Sequence, residues 1–282
     1  MIAASLGVFG YAAGAVVLSW AYFRRCRMTR PPLGVFNLAD VLIMLVAVVL
    51  VPYLYVALPT WLVGALLGGL TVGILYVTLE PFPVPRRAIW LGILVLVAAD
   101  LGSWLRFGAT CTAFAATNDV VLTVAAVGVA NLWAQSGMKA RDAALLGGML
   151  AAYDFIFTAR LPLMNDLLGR LAGLPFAPQV AWPVGEGQWV GIGLGDLLLA
   201  SAFPLVMRKA FGLVAGLLAL STALGVIGAL LGLAGLGALG EAFPLMVVLG
   251  PLMVLEYAYW IRRGRQERTT REYLRAEPLP RG

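Results

Sequence analysis

Histidine is absent from this 282-residue chain, and only two cysteines occur, Cys26 and Cys111. The first absence excludes Ser-His-Asp and Cys-His nucleophile systems and every imidazole metal site; the second excludes thiolate clusters. No metal site is therefore expected, and any hydrolytic chemistry must rest on carboxylates or on a Ser/Lys pair. Charge is scarce as well. Asp, Glu, Lys and Arg make up 12% of the residues, against about 25% in a soluble domain. No polar stretch is long enough to fold as a soluble domain.

What the chain has in quantity is hydrocarbon: 61% of its residues are hydrophobic and its mean hydropathy is +0.92. Apolar runs of about 18 residues or more recur along its length, each sufficient to cross a core of roughly 30 Å as a helix. They predict an all-α membrane protein of about nine transmembrane helices, with spans near 3–23, 38–57, 60–79, 88–106, 119–135, 143–160, 189–207, 210–237 and 243–261. One polytopic domain, 1–262, is followed by a basic tail, 263–282. The run Ile2 to Phe23 has no basic region before it and no small-residue cleavage site ahead of Arg24, so it is expected to stay as a span. Pro59 separates the second and third spans, and Arg208–Lys209 the seventh and eighth. Gly212/Gly216 and Gly228/Gly232 suggest close helix packing.

The basic residues lie on alternate loops. With the amino terminus outside, the inner face holds Arg24, Arg25, Arg27, Arg30, Arg86, Arg87, Lys139, Arg141, Arg208, Lys209 and the tail arginines. Only Arg106, Arg160 and Arg170 remain outside. This bias predicts amino terminus outside and carboxyl terminus inside, and places Cys26 and Cys111 on opposite faces. The pI near 9.6 is accounted for by attraction to anionic lipid, without invoking nucleic acid. The Arg-, Ala- and Leu-rich, lysine-poor composition points to a GC-rich prokaryote and its plasma membrane.

Of 14 acidic residues, Asp40, Asp100, Asp154, Asp196 and Glu256 fall within apolar runs, where a charge costs about 2.5–3.5 kcal/mol on insertion scales. Asp119 and Asp142 are placed at helix ends. Asp40, beside Asn37, and Glu256, within two turns of Arg262, can reach the interface and are given structural roles. Asp100, with Ser103 at i+3, is either a helix–helix hydrogen-bonding group or a third member of a polar cavity. Asp154 and Asp196 stand at similar depth on neighbouring antiparallel spans, about 9–10 Å from the outer ends at 1.5 Å per residue. Facing each other across a gap, two such carboxylates can share one proton, one serving as base and the other as acid. Gly191, Gly193 and Gly195 leave no side chain beside Asp196, so an extended peptide backbone can come close.

Tyr153-Asp154 on the sixth span and Gly193-Leu194-Gly195-Asp196 on the seventh resemble the motifs of the presenilin and signal peptide peptidase family. The resemblance covers nearly the whole nine-span layout. It implies that Asp154 and Asp196 are the catalytic pair of an intramembrane aspartyl protease that needs no cofactor beyond water. Its partners would be transmembrane helices of substrate proteins or signal peptides, in the lipid bilayer. The family's Pro-Ala-Leu motif has its nearest match in Pro244-Leu245-Met246, where the middle alanine is missing. The orientation predicted from charge is that of signal peptide peptidases and implies substrate helices with their amino termini inside. In the long loop 161–188, Leu163, Leu167, Leu168 and Leu171 alternate with Asn165, Asp166 and Arg170 as in a short interfacial helix. Phe176 to Val184 can extend, and the resemblance implies strand pairing with substrate there. Two other readings stay open. A secondary transporter could couple ions through Asp100, Asp154 and Asp196. A prepilin-peptidase-type protease also uses GxGD, but usually with a basic residue where this chain has Leu197-Leu198-Leu199.

Overall fold

A computed structural model describes residues 1–28, 36, 38–160, 171, 173–185, 188–239, 244–269 and 272. Among these residues there are nine helices of 17 residues or more and one β-hairpin. The helices are α1 (Ile2–Arg25), α2 (Leu38–Ala57), α3 (Thr60–Leu79), α4 (Arg86–Phe107), α5 (Thr112–Gln135), α6 (Ala140–Arg160), α7 (Leu194–Phe211), α8 (Leu213–Gly235) and α9 (Met246–Arg262). The strands, β1 (Gln179–Gly185) and β2 (Gln188–Gly193), lie between α6 and α7. Six helices, α1 to α5 and α8, are long and apolar enough to cross a membrane by length and composition. Large apolar side chains stand exposed on their outward faces, among them Leu6, Leu18, Ile43, Leu70, Leu91, Leu94 and Val214. Exposed hydrocarbon on this scale suits a lipid environment.

Helix α7 is the hub of the fold. Nearly every residue from Leu197 to Phe211 is buried, and α1, α5, α6, α8 and α9 all pack against it. Arg208–Lys209, expected to break the chain between spans, instead form the buried last turn of α7. The Lys209 ammonium donates to the Ala134 and Met138 carbonyls, at 2.7 and 2.6 Å, which lie where α5 ends. The Arg208 guanidinium lies 4.9 Å over the Trp20 ring of α1. These partners allow the cations to be buried, because each meets π-electrons or helix-end carbonyls. The break comes one turn later, at Gly212, whose φ of +101° suits glycine. Gly212 is therefore a corner residue. The close approach to α1 is made by Gly216, against Trp20, and by Gly228, against Phe9.

The span expected at 189–207 begins five residues later, and 188–193 form β2. Trp189, Val190 and Ile192 are as apolar as a membrane helix but also favour strands. Pairing decides between the two: β1 and β2 run antiparallel, with Val180 opposite Ile192 and Trp182 opposite Val190. A Cβ on Gly191 would lie 2.6 Å from the Ala181 Cβ, so the strands sit this close only because residue 191 is glycine. Phe176 to Val184, the stretch able to extend, overlaps β1 from Gln179 to Val184. The proposed interfacial helix lies outside the described residues except for Leu171, as do Asn37, Asp166 and Arg170.

The start of the tail folds back onto the bundle. The Arg268 N–H donates to the Ala210 carbonyl at 3.1 Å, and its guanidinium donates to the Arg208 carbonyl at 3.1 Å. Arg265 reaches the Phe211 carbonyl, and Glu267 accepts the Ala140 N–H at 2.6 Å. The carbonyls left open at the end of α7 and an amide at the start of α6 are satisfied in this way. Arg265 and Arg268 thus serve as caps, a role beyond the lipid attraction assigned to the tail as a whole.

Candidate active site

Asp154 lies on α6, six residues before its last residue, and Asp196 is the third residue of α7. The late start of α7 removes the expected match in depth counted from helix ends. The two carboxylates nevertheless lie within electrostatic reach of each other, and both are half-buried. Asp196 also accepts the backbone N–H of Leu245. The Pro244-Leu245-Met246 segment therefore meets Asp196 through main chain, a contact that does not depend on the side chain at the middle position. Leu245 and Met246 are buried and Pro244 half-buried just ahead of α9.

Helix contacts explain how the three elements converge. Gly250 of α9 lies against Gly147 and Ala151 of α6, where an added Cβ would stand 2.8 Å from the Ala151 Cβ and closer still to the Gly147 carbonyl oxygen. One turn beyond Ala151, this contact positions Asp154. Tyr153, beside it, is buried and donates to the Val48 carbonyl of α2 at 3.4 Å. Leu194, half-buried, opens α7 while its N–H still donates to the Pro178 carbonyl at 3.0 Å. The hairpin and the Asp196 helix are thus joined without a loop.

Around Asp196 there is room. A Cβ built on Gly193 or Gly195 would meet nothing within 4 Å, and Gly195 is exposed. Beside β2, residues 188–192, Leu230 and Leu231 of α8, and Leu245 line a cavity of about 100 Å³. A strand, an open space and the Asp196 carboxylate therefore follow one another within a few residues, with Asp154 in electrostatic reach from α6. No protein-family model, curated protein or solved structure matches this chain.

Asp100 has different company. Its carboxylate accepts the Phe176 N–H at 2.9 Å, and it lies within electrostatic reach of Asp119. Ser103 donates to the Asp100 carbonyl at 2.9 Å and shares a 2.6 Å hydrogen bond with Thr117 of α5. The Asp100 side chain thus bonds to the turn ahead of β1, while the helix–helix hydrogen bond here is made by Ser103 and Thr117. Asp119, placed at a helix end from the sequence, is fully buried two turns inside α5. Helix α5 begins at Thr112, in a small and polar stretch that hydropathy does not register. Asp119 accepts from the Ala181 N–H at 3.2 Å and from the Trp182 indole at 2.9 Å. Its neighbour Asn118 donates to the Ala177 and Gln179 carbonyls, both at 3.2 Å. The adjacent polar pair Asn118–Asp119, just ahead of the apolar run from Val120, was the available signal. Asp142 lies in the first turn of α6, buried and paired with Arg141 at 3.3 Å. Glu256, given a structural role, accepts from the Thr222 hydroxyl of α8 and so links two helices. Asp40 stands in the first turn of α2, where a negative charge is favoured by the helix dipole. Among the described residues no cluster of three or more His, Cys, Asp or Glu could hold a metal ion.

Proposed function

We propose that this chain is an intramembrane aspartyl endopeptidase of the presenilin and signal-peptide-peptidase type. It would hydrolyse peptide bonds within transmembrane segments of other proteins. What supports the reading is that Asp154 and Asp196 lie within electrostatic reach of each other beside an open, side-chain-free approach, with the Leu245 N–H donating to Asp196. On this reading the chain crosses a prokaryotic plasma membrane about nine times, with its amino terminus outside and its carboxyl terminus inside.

The chemistry follows from two acids sharing one proton. The ionised carboxylate takes a proton from water, and the water oxygen bonds to the scissile carbonyl carbon. The protonated carboxyl gives its proton to the carbonyl oxygen, producing a tetrahedral diol. Collapse of the diol breaks the C–N bond as one carboxyl protonates the departing nitrogen, and the pair returns to a single shared proton. A helical substrate hides its carbonyls in intrahelical hydrogen bonds, so it must unwind before attack. An extended segment laid along β2 would pass Asp196, three residues beyond the strand.

Purified protein in detergent should cleave a model transmembrane peptide, and Asp154→Asn and Asp196→Asn should each abolish cleavage. Cleavage that survives both single substitutions removes the carboxylate pair from the mechanism. Solute movement in liposomes with no cleavage favours the transporter reading instead.

A further inference from the structure

A two-stranded hairpin has two edges, and either could accept an incoming strand. In this chain one of them is occupied. The Leu194 N–H donates to the Pro178 carbonyl, so the main-chain groups of Pro178 point toward β2. Strand alternation then turns Val180 and Trp182 toward β2 and turns Gln179, Ala181 and Pro183 away from it. Two of these outward groups, the Gln179 carbonyl and the Ala181 N–H, are satisfied by α5. Asn118 donates to the carbonyls of Ala177 and Gln179, and Asp119 accepts from the N–H of Ala181. Pro183 has no N–H to offer. Asp100 extends the series by one contact, accepting from Phe176. On β2 the same alternation directs the main chain of Trp189, Gly191 and Gly193 to the opposite edge. Residues 188–192 also line the cavity shared with Leu230, Leu231 and Leu245, and β2 leads to Asp196.

We propose that Asn118 and Asp119, assisted by Asp100, are positioning residues that close the outer edge of β1. They act as a side-chain substitute for a third strand and commit an extended substrate segment to the edge of β2. They also fix the hairpin against the α4–α5 pair, so the segment on β2 is presented at one register to Asp154 and Asp196. The proposal rests on the protease reading above. It concerns residues that touch the hairpin and act on the reaction through it. Buried carboxylates paired with main-chain groups are suited to this, because a strand edge without partners inside a membrane must be satisfied by something.

The test compares wild type with Asn118→Leu and with the milder Asn118→Ser, each checked for folding by thermal melt. Products from a model transmembrane peptide are mapped by mass spectrometry. Wild type should cut at one principal bond. In the variants the products should spread over neighbouring bonds and kcat should fall roughly 10–100-fold. Binding of a small transition-state-analogue inhibitor, which needs only the acid pair, should stay unchanged. Amide exchange across 176–193 should rise in the same variants. A folded Asn118→Ser protein with unchanged kcat, a single unchanged cut and unchanged exchange overturns the proposal. The protease reading would survive that result, since it falls only if wild type fails to cut or if Asp154→Asn still cuts. Loss of inhibitor binding in a folded variant also overturns the proposal, because the damage would then lie at the acid pair.

Discussion

Gly250→Ala adds a single methyl where α9 crosses α6, and its effect can be worked from the packing. The new Cβ would lie 2.8 Å from the Ala151 Cβ, about 0.6 Å short of the separation at which carbon atoms pack without repulsion. The Gly147 carbonyl is closer still and belongs to rigid helix backbone, so no side chain can swing aside. The helices must part by several tenths of an ångström. Asp154 sits one turn beyond the crossing and Leu245 at the head of α9, so the displacement falls between Asp154 and the donor that holds Asp196. Overpacking of this kind costs about 1–3 kcal/mol of stability. A misplacement of about 1 Å at a reacting centre costs about 10²-fold in rate, so kcat should drop roughly 10–100-fold with only a modest fall in the thermal midpoint. The assay is peptide cleavage in detergent micelles, with Gly225→Ala on α8 as the control. A Cβ there meets nothing within 4 Å, and activity should be retained. Wild-type kcat in a folded Gly250→Ala protein would refute the claim that the α6–α9 crossing sets the geometry of the site.

Gly195→Ala should move stability and activity in opposite directions. The new methyl meets open space and raises helix propensity by up to about 1 kcal/mol, while it obstructs the approach to Asp196; a variant that melts higher and cleaves as fast as wild type contradicts this. At the tail, burial against the head of α6 pushes the Glu267 carboxyl above its usual range, outweighing the Ala140 N–H that it accepts. A carboxyl raised in the folded state contributes most when protonated, so its contribution is lost as pH rises through the raised value. Glu267→Gln, a fixed neutral substitute, should match wild type below about pH 4.5 and melt above it near pH 7. A difference between the two midpoints that does not vary with pH would exclude this account.

The helices were more legible in the sequence than the site's surroundings. Helices α2 and α3 occupy the ranges 38–57 and 60–79 given by hydropathy and Pro59, because there the only question is where apolar chain stops. The strand at 188–193 was hidden for a physical reason: Trp-Val-Gly-Ile is equally apolar as helix or strand, and its partner 179–185 decides. Asp154 and Asp196 were visible as carboxylates in hydrocarbon, whereas Asp119 was not, since the helix around it begins with threonine and alanine. Nor could spacing show that Leu245 would present its N–H to Asp196. That contact is made by tertiary packing at the α6–α9 crossing.

Among the described residues, the three helices outside the six that are long and apolar enough to cross a membrane are α6, α7 and α9, the last at 17 residues. These are the ones that bear Asp154 and Asp196 and that follow Leu245. For a membrane protein this has a consequence during synthesis. Asp196 in its first turn and Arg208 and Lys209 in its last turn all oppose the entry of α7 into lipid, each by less than the roughly 2.5–3.5 kcal/mol of a charge at the helix centre. Trp20 and the carbonyls of Ala134 and Met138 come from α1 and from the end of α5, and both helices leave the ribosome first. The carrier of the second acid would therefore settle only into a cradle that its predecessors have already built, and weakening that cradle should show up as failed insertion of α7 before any loss of catalysis could be measured.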